Sequence, residues 1–172
     1  MENYTKRLII RLLLLIFIIF FSYDLFYQIL EFLTVQLSYI FLLPLKPVMT
    51  NSTTFTIGSH ILEIVPACVA FSAYVLLSIL ILSTKDIKRK IMLKMFLIGS
   101  LSILIINILR IDLLIYMLVL MGSRIFETLH LFFWKTLSGV VVVLVWIYLI
   151  KKYNIKNIPI YSDVKYLINR IF

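Results

Sequence analysis

Acidic side chains are scarce in this chain: eight Asp and Glu stand against seventeen Lys and Arg. Charge of either sign is thin as well, at 15% of 172 residues, while 63% are hydrophobic. An ordinary soluble domain is about half apolar and about one quarter charged, so this composition belongs in a bilayer. The single cysteine, Cys68, excludes an internal disulfide. With four glycines and four prolines there is no low-complexity linker, and no internal repeat is present. The net charge of +9 would suit nucleic acid, but the basic residues stand in short clusters beside apolar runs. No nucleic-acid-binding module surrounds them, which removes nucleic acid as a partner.

What the sequence does contain is long apolar runs. A helix needs about 20 residues to cross roughly 30 Å of hydrocarbon, and four runs qualify, at about 8–27, 67–84, 91–110 and 126–150. The first follows Lys6, Arg7 and Arg11 and has no small-residue cleavage site after it, so it reads as an uncleaved anchor. Basic residues cluster at the N-terminus, in "STKDIKRK" and after Ile150, whereas residues 22–66 hold one, Lys46, against Asp24, Glu31 and Glu63. The positive-inside rule then makes both termini cytoplasmic and turns 22–66 outward. The expected fold is an all-α integral membrane protein, one membrane domain over residues 1–172 with about four transmembrane helices in the cell membrane. The basic tail at 151–172 is expected to lie on the inner surface.

The outer stretch has its own organisation. Residues 24–43 separate Asp24, Gln28, Glu31 and Gln36 from a stripe of Leu25, Ile29, Leu33, Leu37 and Ile40, the pattern of an outer interfacial helix. Pro44 and Pro47 end it. Residues 52–65 read as a β-hairpin turning at Gly58-Ser59, with Ile57 opposite His60, Phe55 opposite Leu62 and Thr53 opposite Ile64. Phe55, Ile57, Leu62 and Ile64 would share its apolar face, and Pro66 leads from it to Cys68. Residues 113–125 are apolar but short, and suggest a separate helix dipping into the outer leaflet and ending near Gly122.

This topology brings three residues to one membrane face: Cys68 at the start of the second span, Arg110 at the end of the third and His130 near the start of the fourth. Ionisable groups at membrane depth are costly and call for a partner or a purpose. A thiol beside an imidazole that takes its proton, with a guanidinium for the oxyanion, is the equipment of thiol acyl transfer. Each residue also has a plainer reading: Arg110 snorkels to headgroups, His130 anchors the interface, and Cys68 packs as a small hydrophobe. Asn107, one turn before Arg110, either orients it or bonds across helices. Asp112 and Glu127 are candidate charge partners of Arg110 and His130, and Arg124 is a reserve second cation. A zinc site from Cys68, His130 and His60 lacks a specified second shell, so no metal or cofactor is expected.

"PAC" at Pro66–Cys68, "NILRI" at Asn107–Ile111 and "ETLH" at Glu127–His130 together resemble the exosortase/archaeosortase family of membrane transpeptidases. The likeness covers about residues 50–150 and keeps the order Cys, Arg, His. It implies that Cys68 is the nucleophile, Arg110 the family's arginine and His130 the third catalytic member. It further implies a small archaeal-type enzyme that cuts secreted proteins at a C-terminal sorting signal made of a motif, a transmembrane helix and a basic tail. The new C-terminus would pass to an acceptor, a membrane lipid being one such acceptor. Small residues such as Gly99, Ser100, Ser102, Ser138 and Gly139 would serve either that substrate helix or internal packing. One departure stands out, because many members follow the cysteine with Ser-Gly where this chain has Val69-Ala70. The alternative class is a non-enzymatic scaffold or transporter subunit that binds an anionic headgroup or substrate through Arg110 and His130.

Overall fold

The structure, a computed structural model, describes residues 13, 23–84, 87–133 and 138–155. Most of the expected first span and of the expected tail therefore lies outside the described residues. The described residues form helices α1 (Tyr23–Phe41), α2 (Phe71–Ser83), α3 (Arg89–Met121), α4 (Ser123–Phe132) and α5 (Ser138–Lys152) and a small antiparallel sheet. Its strands are β1 (Val48–Met49), β2 (Thr54–Ile57) and β3 (His60–Glu63), in that order. Single 3-10 turns occupy Leu43–Leu45 and Pro66–Val69.

Two hydrophobic cores are built from these elements, and α3 contributes to both. In the bundle core, Tyr74, Leu77 and Ile81 of α2 pack with Met95 and Ile103 of α3, Val142 and Leu149 of α5, and Leu30 of α1. Gly99 is the point of closest approach: a Cβ there would stand 2.7 Å from Leu77 Cδ2 and 3.1 Å from Leu149 Cδ1. Gly99 thus serves internal packing, which leaves Gly139, with open space around it, as the glycine free to face another helix. The cap core joins Phe55, Ile57 and Ile64 of the hairpin region to Val35, Leu42, Ile111 and Ile115.

The bundle is apolar outside as well as inside. Along α3, Leu93, Leu97, Leu101, Ile105, Leu109 and Leu113 recur every fourth position and are each 44–60% exposed. A residue rise of 1.5 Å makes that row roughly 30 Å long, about the thickness of the hydrocarbon layer. Among the described residues, two segments are long and apolar enough to cross a membrane, Pro66–Ser83 and Arg89–Met121.

Several expectations are corrected. The third helix does not stop at Arg110, and 113–125 is not a separate dipping helix: α3 runs unbroken through 33 residues, about 50 Å. No glycine or proline interrupts Ile111–Met121, and Asp112 is buried in the helix side instead of capping an end. The chain turns at Gly122, whose φ of +85° suits glycine, and α4 follows at once. The expected fourth span is described as two helices, α4 and α5, with residues 134–137 outside the described residues, and α5 has 15 residues. Four transmembrane helices are therefore not shown. A helix is present where one was expected over 24–43, as α1, but its inward face is Leu30, Thr34, Val35 and Ser38, while Ile29 and Ile40 of the expected apolar stripe are exposed.

The fold is also not helices and a hairpin alone, since β1 adds a third strand, with Val48 opposite Thr56 and Met49 opposite Phe55. Two residues are too few to carry an alternation pattern. Pro47 and the bonds from Thr50 and Asn51 N–H to the Thr54 carbonyl fold this short piece back onto β2. Within the hairpin Ile57 pairs with His60 and Phe55 with Leu62, while Ile64 N–H donates to the Thr53 carbonyl at 2.9 Å. Gly58 supplies the left-handed turn residue at φ +59°.

Candidate active site

Cys68 lies at the junction of the two cores. Its neighbour Val69 is fully buried in the bundle core, while the half-buried Cys68 packs against the cap core. Pro66 begins the turn, where its fixed φ and missing N–H cost nothing. Cys68 N–H donates to the Val65 carbonyl at 2.8 Å. The turn then reverses into α2 through Ala70, which adopts φ +56° and ψ +32°.

A non-glycine residue in this left-handed region costs about 1–2 kcal/mol. Position 70 is where the resemblance leads one to expect glycine, and the backbone takes the glycine-favouring conformation with alanine in place. What holds the turn is a long-range bond: Asn107 Nδ2 donates to the Cys68 carbonyl at 2.7 Å, 39 residues apart in sequence. Asn107 is buried, so its amide bridges elements and fastens the thiol-bearing turn to α3.

One turn further along α3, Arg110 is half-buried and its Nε has no hydrogen-bond partner. With Asn107 it forms the polar end of a groove otherwise lined by Ala70, Ala73, Ile103, Ile106, Val141 and Val142. The guanidinium charge acts on the Cys68 thiol and on the His130 imidazole. His130 sits on the inward face of α4, where half-buried Phe126, Leu129, His130 and Phe133 follow helical spacing. Its ring stacks on Phe126 with centroids 5.5 Å apart and planes inclined by 28°. Burial, and after it the charge of Arg110, hold this imidazole below the ordinary histidine value. It is therefore neutral near pH 7 and able to accept a proton. No hydrogen bond joins Cys68 to His130 among the described residues; Arg110 is the group both sense.

The supporting candidates divide. Asn107 belongs to the site through Cys68. Asp112 does not pair with Arg110, because residues two apart on a helix point about 200° apart; its carboxyl is turned toward Ser38 of α1. Glu127 and Arg124 are exposed on α4, Glu127 one turn before the half-buried His130. The conformation of Ala70 was not derivable from residue type, and the only signal for it was the Ser-Gly that the resemblance led one to expect. His60 stands in β3 next to the hairpin turn, and no cluster of three His, Cys, Asp or Glu suited to a metal occurs among the described residues.

No protein-family model, curated protein or solved structure matches this chain.

Proposed function

We propose that this protein is a cysteine transpeptidase of the cell membrane, working at the outer face on secreted proteins that end in a short motif, a transmembrane helix and a basic tail. The observation that carries the reading is the 2.7 Å bond from Asn107 to the Cys68 carbonyl, which fastens the thiol-bearing turn to α3 one helical turn from Arg110. The row of exposed Leu and Ile on α3 supports the depth assignment. Lys88, Arg89, Lys90 and Lys94 stand at one end of it and Arg110 near the other, so a multi-pass topology with cytoplasmic termini puts Cys68 outside.

In this mechanism the neutral His130 takes the Cys68 proton, and the thiolate attacks the scissile carbonyl carbon. Arg110 stabilises the oxyanion as the C–N bond breaks, and the imidazolium gives its proton to the leaving amine. The thioester is then opened by an acceptor whose proton passes to His130, and the Cys68 sulfur leaves. The bond from Asn107 sets where that sulfur stands, a placement to which rate is sensitive at the ångström scale. Cys68→Ala should insert normally yet leave the secreted substrate uncut, as read by its mobility on a gel. Normal processing by that variant overturns the proposal.

A second reading draws on the groove itself. A small apolar groove with a guanidinium at one end also suits an anionic headgroup, held by a non-enzymatic scaffold or transporter subunit. Labelling with an impermeant thiol reagent separates the two. A nucleophilic Cys68 reacts from outside at a rate that falls in His130→Ala, whereas a packing thiol shows no dependence on His130.

A further inference from the structure

Helical hydroxyls in this protein usually satisfy themselves by donating to the carbonyl one turn back. Ser78 does so to Tyr74 at 2.8 Å, Thr84 to Leu80 at 2.7 Å, Ser102 to Ile98 at 2.9 Å and Thr128 to Arg124 at 3.1 Å. Ser100 of α3 is an isolated exception, whereas Thr34 and Ser38, also exceptions, stand one turn apart on the inward face of α1. Both are fully buried, and neither hydroxyl oxygen has a hydrogen-bond partner.

Across from Ser38 on α3 lies Asp112, only 6% exposed, and both of its carboxyl oxygens are likewise unpartnered. The Ser38 hydroxyl is close enough to influence that carboxyl, but the two do not close a hydrogen bond of acceptable geometry. Arg110 cannot neutralise it, since its side chain leaves α3 on the opposite side. Ser38 therefore faces the Asp112 carboxyl between two packed helices, with Thr34 one turn away on the same face of α1, and among the described residues no positive side chain acts on that carboxyl.

A buried carboxylate without a partner is among the most unfavourable groups a fold can hold, and buried hydroxyls without partners add to that cost. A hard cation meets all of these needs at once, because carboxylate and hydroxyl oxygens are its preferred ligands. The single carboxylate matches one positive charge, whereas divalent sites are generally richer in carboxylates or water. We propose that Thr34, Ser38 and Asp112 bind a sodium ion between α1 and α3. The site is separate from the Cys68 turn, and its existence does not depend on this protein being an enzyme.

The test is thermal unfolding of the purified full-length protein in detergent, followed by intrinsic fluorescence, in NaCl against choline chloride at equal ionic strength. Sodium at about 100 times its dissociation constant should raise Tm by about 5–10 °C. The response should vanish in Asp112→Asn, and its half-saturating concentration should rise at least about tenfold in the Thr34→Val/Ser38→Ala double variant, equivalent to about 1.4 kcal/mol. Equal Tm in the two salts overturns the proposal, as does a sodium response retained by Asp112→Asn. Should that variant fail to fold, the double variant decides, and an unchanged half-saturating concentration overturns the site.

Discussion

The bundle and the cap share α3, but they present different exteriors. Outside the bundle runs a continuous row of Leu and Ile, whereas the outer face of the sheet alternates Thr54, Thr56 and Glu63 with Val48 and Ile61. The first exterior suits hydrocarbon along its whole length, and the second suits a boundary with water. Burial in the cap gains from removing apolar surface from water. In a lipid-embedded bundle that gain is small, and close packing such as that at Gly99 replaces it. The turn bearing Cys68 is fixed where these two kinds of packing meet, with Val69 in one core and Cys68 against the other.

The comparison can be broken first from the cap side. Phe55 is fully buried there, and Phe55→Ala should cost about 3–5 kcal/mol and loosen the Cys68 turn. Chemical unfolding measures the loss, and faster thiol alkylation of Cys68 reports the loosening. From the bundle side, Gly99→Leu must push Leu77 and Leu149 aside, an overpacking worth about 1–3 kcal/mol, with little change at the thiol. If both variants altered thiol reactivity equally, the two cores would not be separable.

The junction itself is probed by Asn107→Leu, which leaves the Cys68 carbonyl without its donor and should cost about 1–3 kcal/mol. On the transpeptidase reading, kcat should fall more than KM rises, because the change misplaces the thiol that reacts. Acid separates His130 from these packing effects. Its neutral form is the base, so processing should fall about tenfold per pH unit once pH drops below its pKa. That limb should lie below the ordinary histidine value, because burial and Arg110 oppose protonation. A rate profile that is flat through the acid range would remove His130 from the mechanism. The smallest effect is expected at Ala70→Gly: relief of the left-handed alanine outweighs the added freedom of the unfolded chain, for a gain of up to about 1 kcal/mol.

Much of this protein could be read locally. The hairpin register followed from a Gly-Ser turn and strict alternation, and the extreme apolarity of α2 and α3 followed from composition. The failures have a common cause. Arg110 and Asp112 looked like partners because they are only two positions apart in sequence, yet helical geometry sends them to opposite sides. The end of α3 was misplaced because a charged residue in an apolar run resembles a boundary, although nothing at Arg110 breaks a helix.

The sequence alone determined which segments are apolar, where the hairpin turns, and that Cys68, Arg110 and His130 are the residues whose chemistry needs explaining. Those properties depend on side-chain type and on spacings of a few residues. Tertiary structure decided that Asn107 reaches the Cys68 carbonyl, that Ala70 must hold a left-handed turn, and that Asp112 meets Ser38. Those are contacts between distant segments, and their geometry exists only once α1, α2 and α3 have packed together.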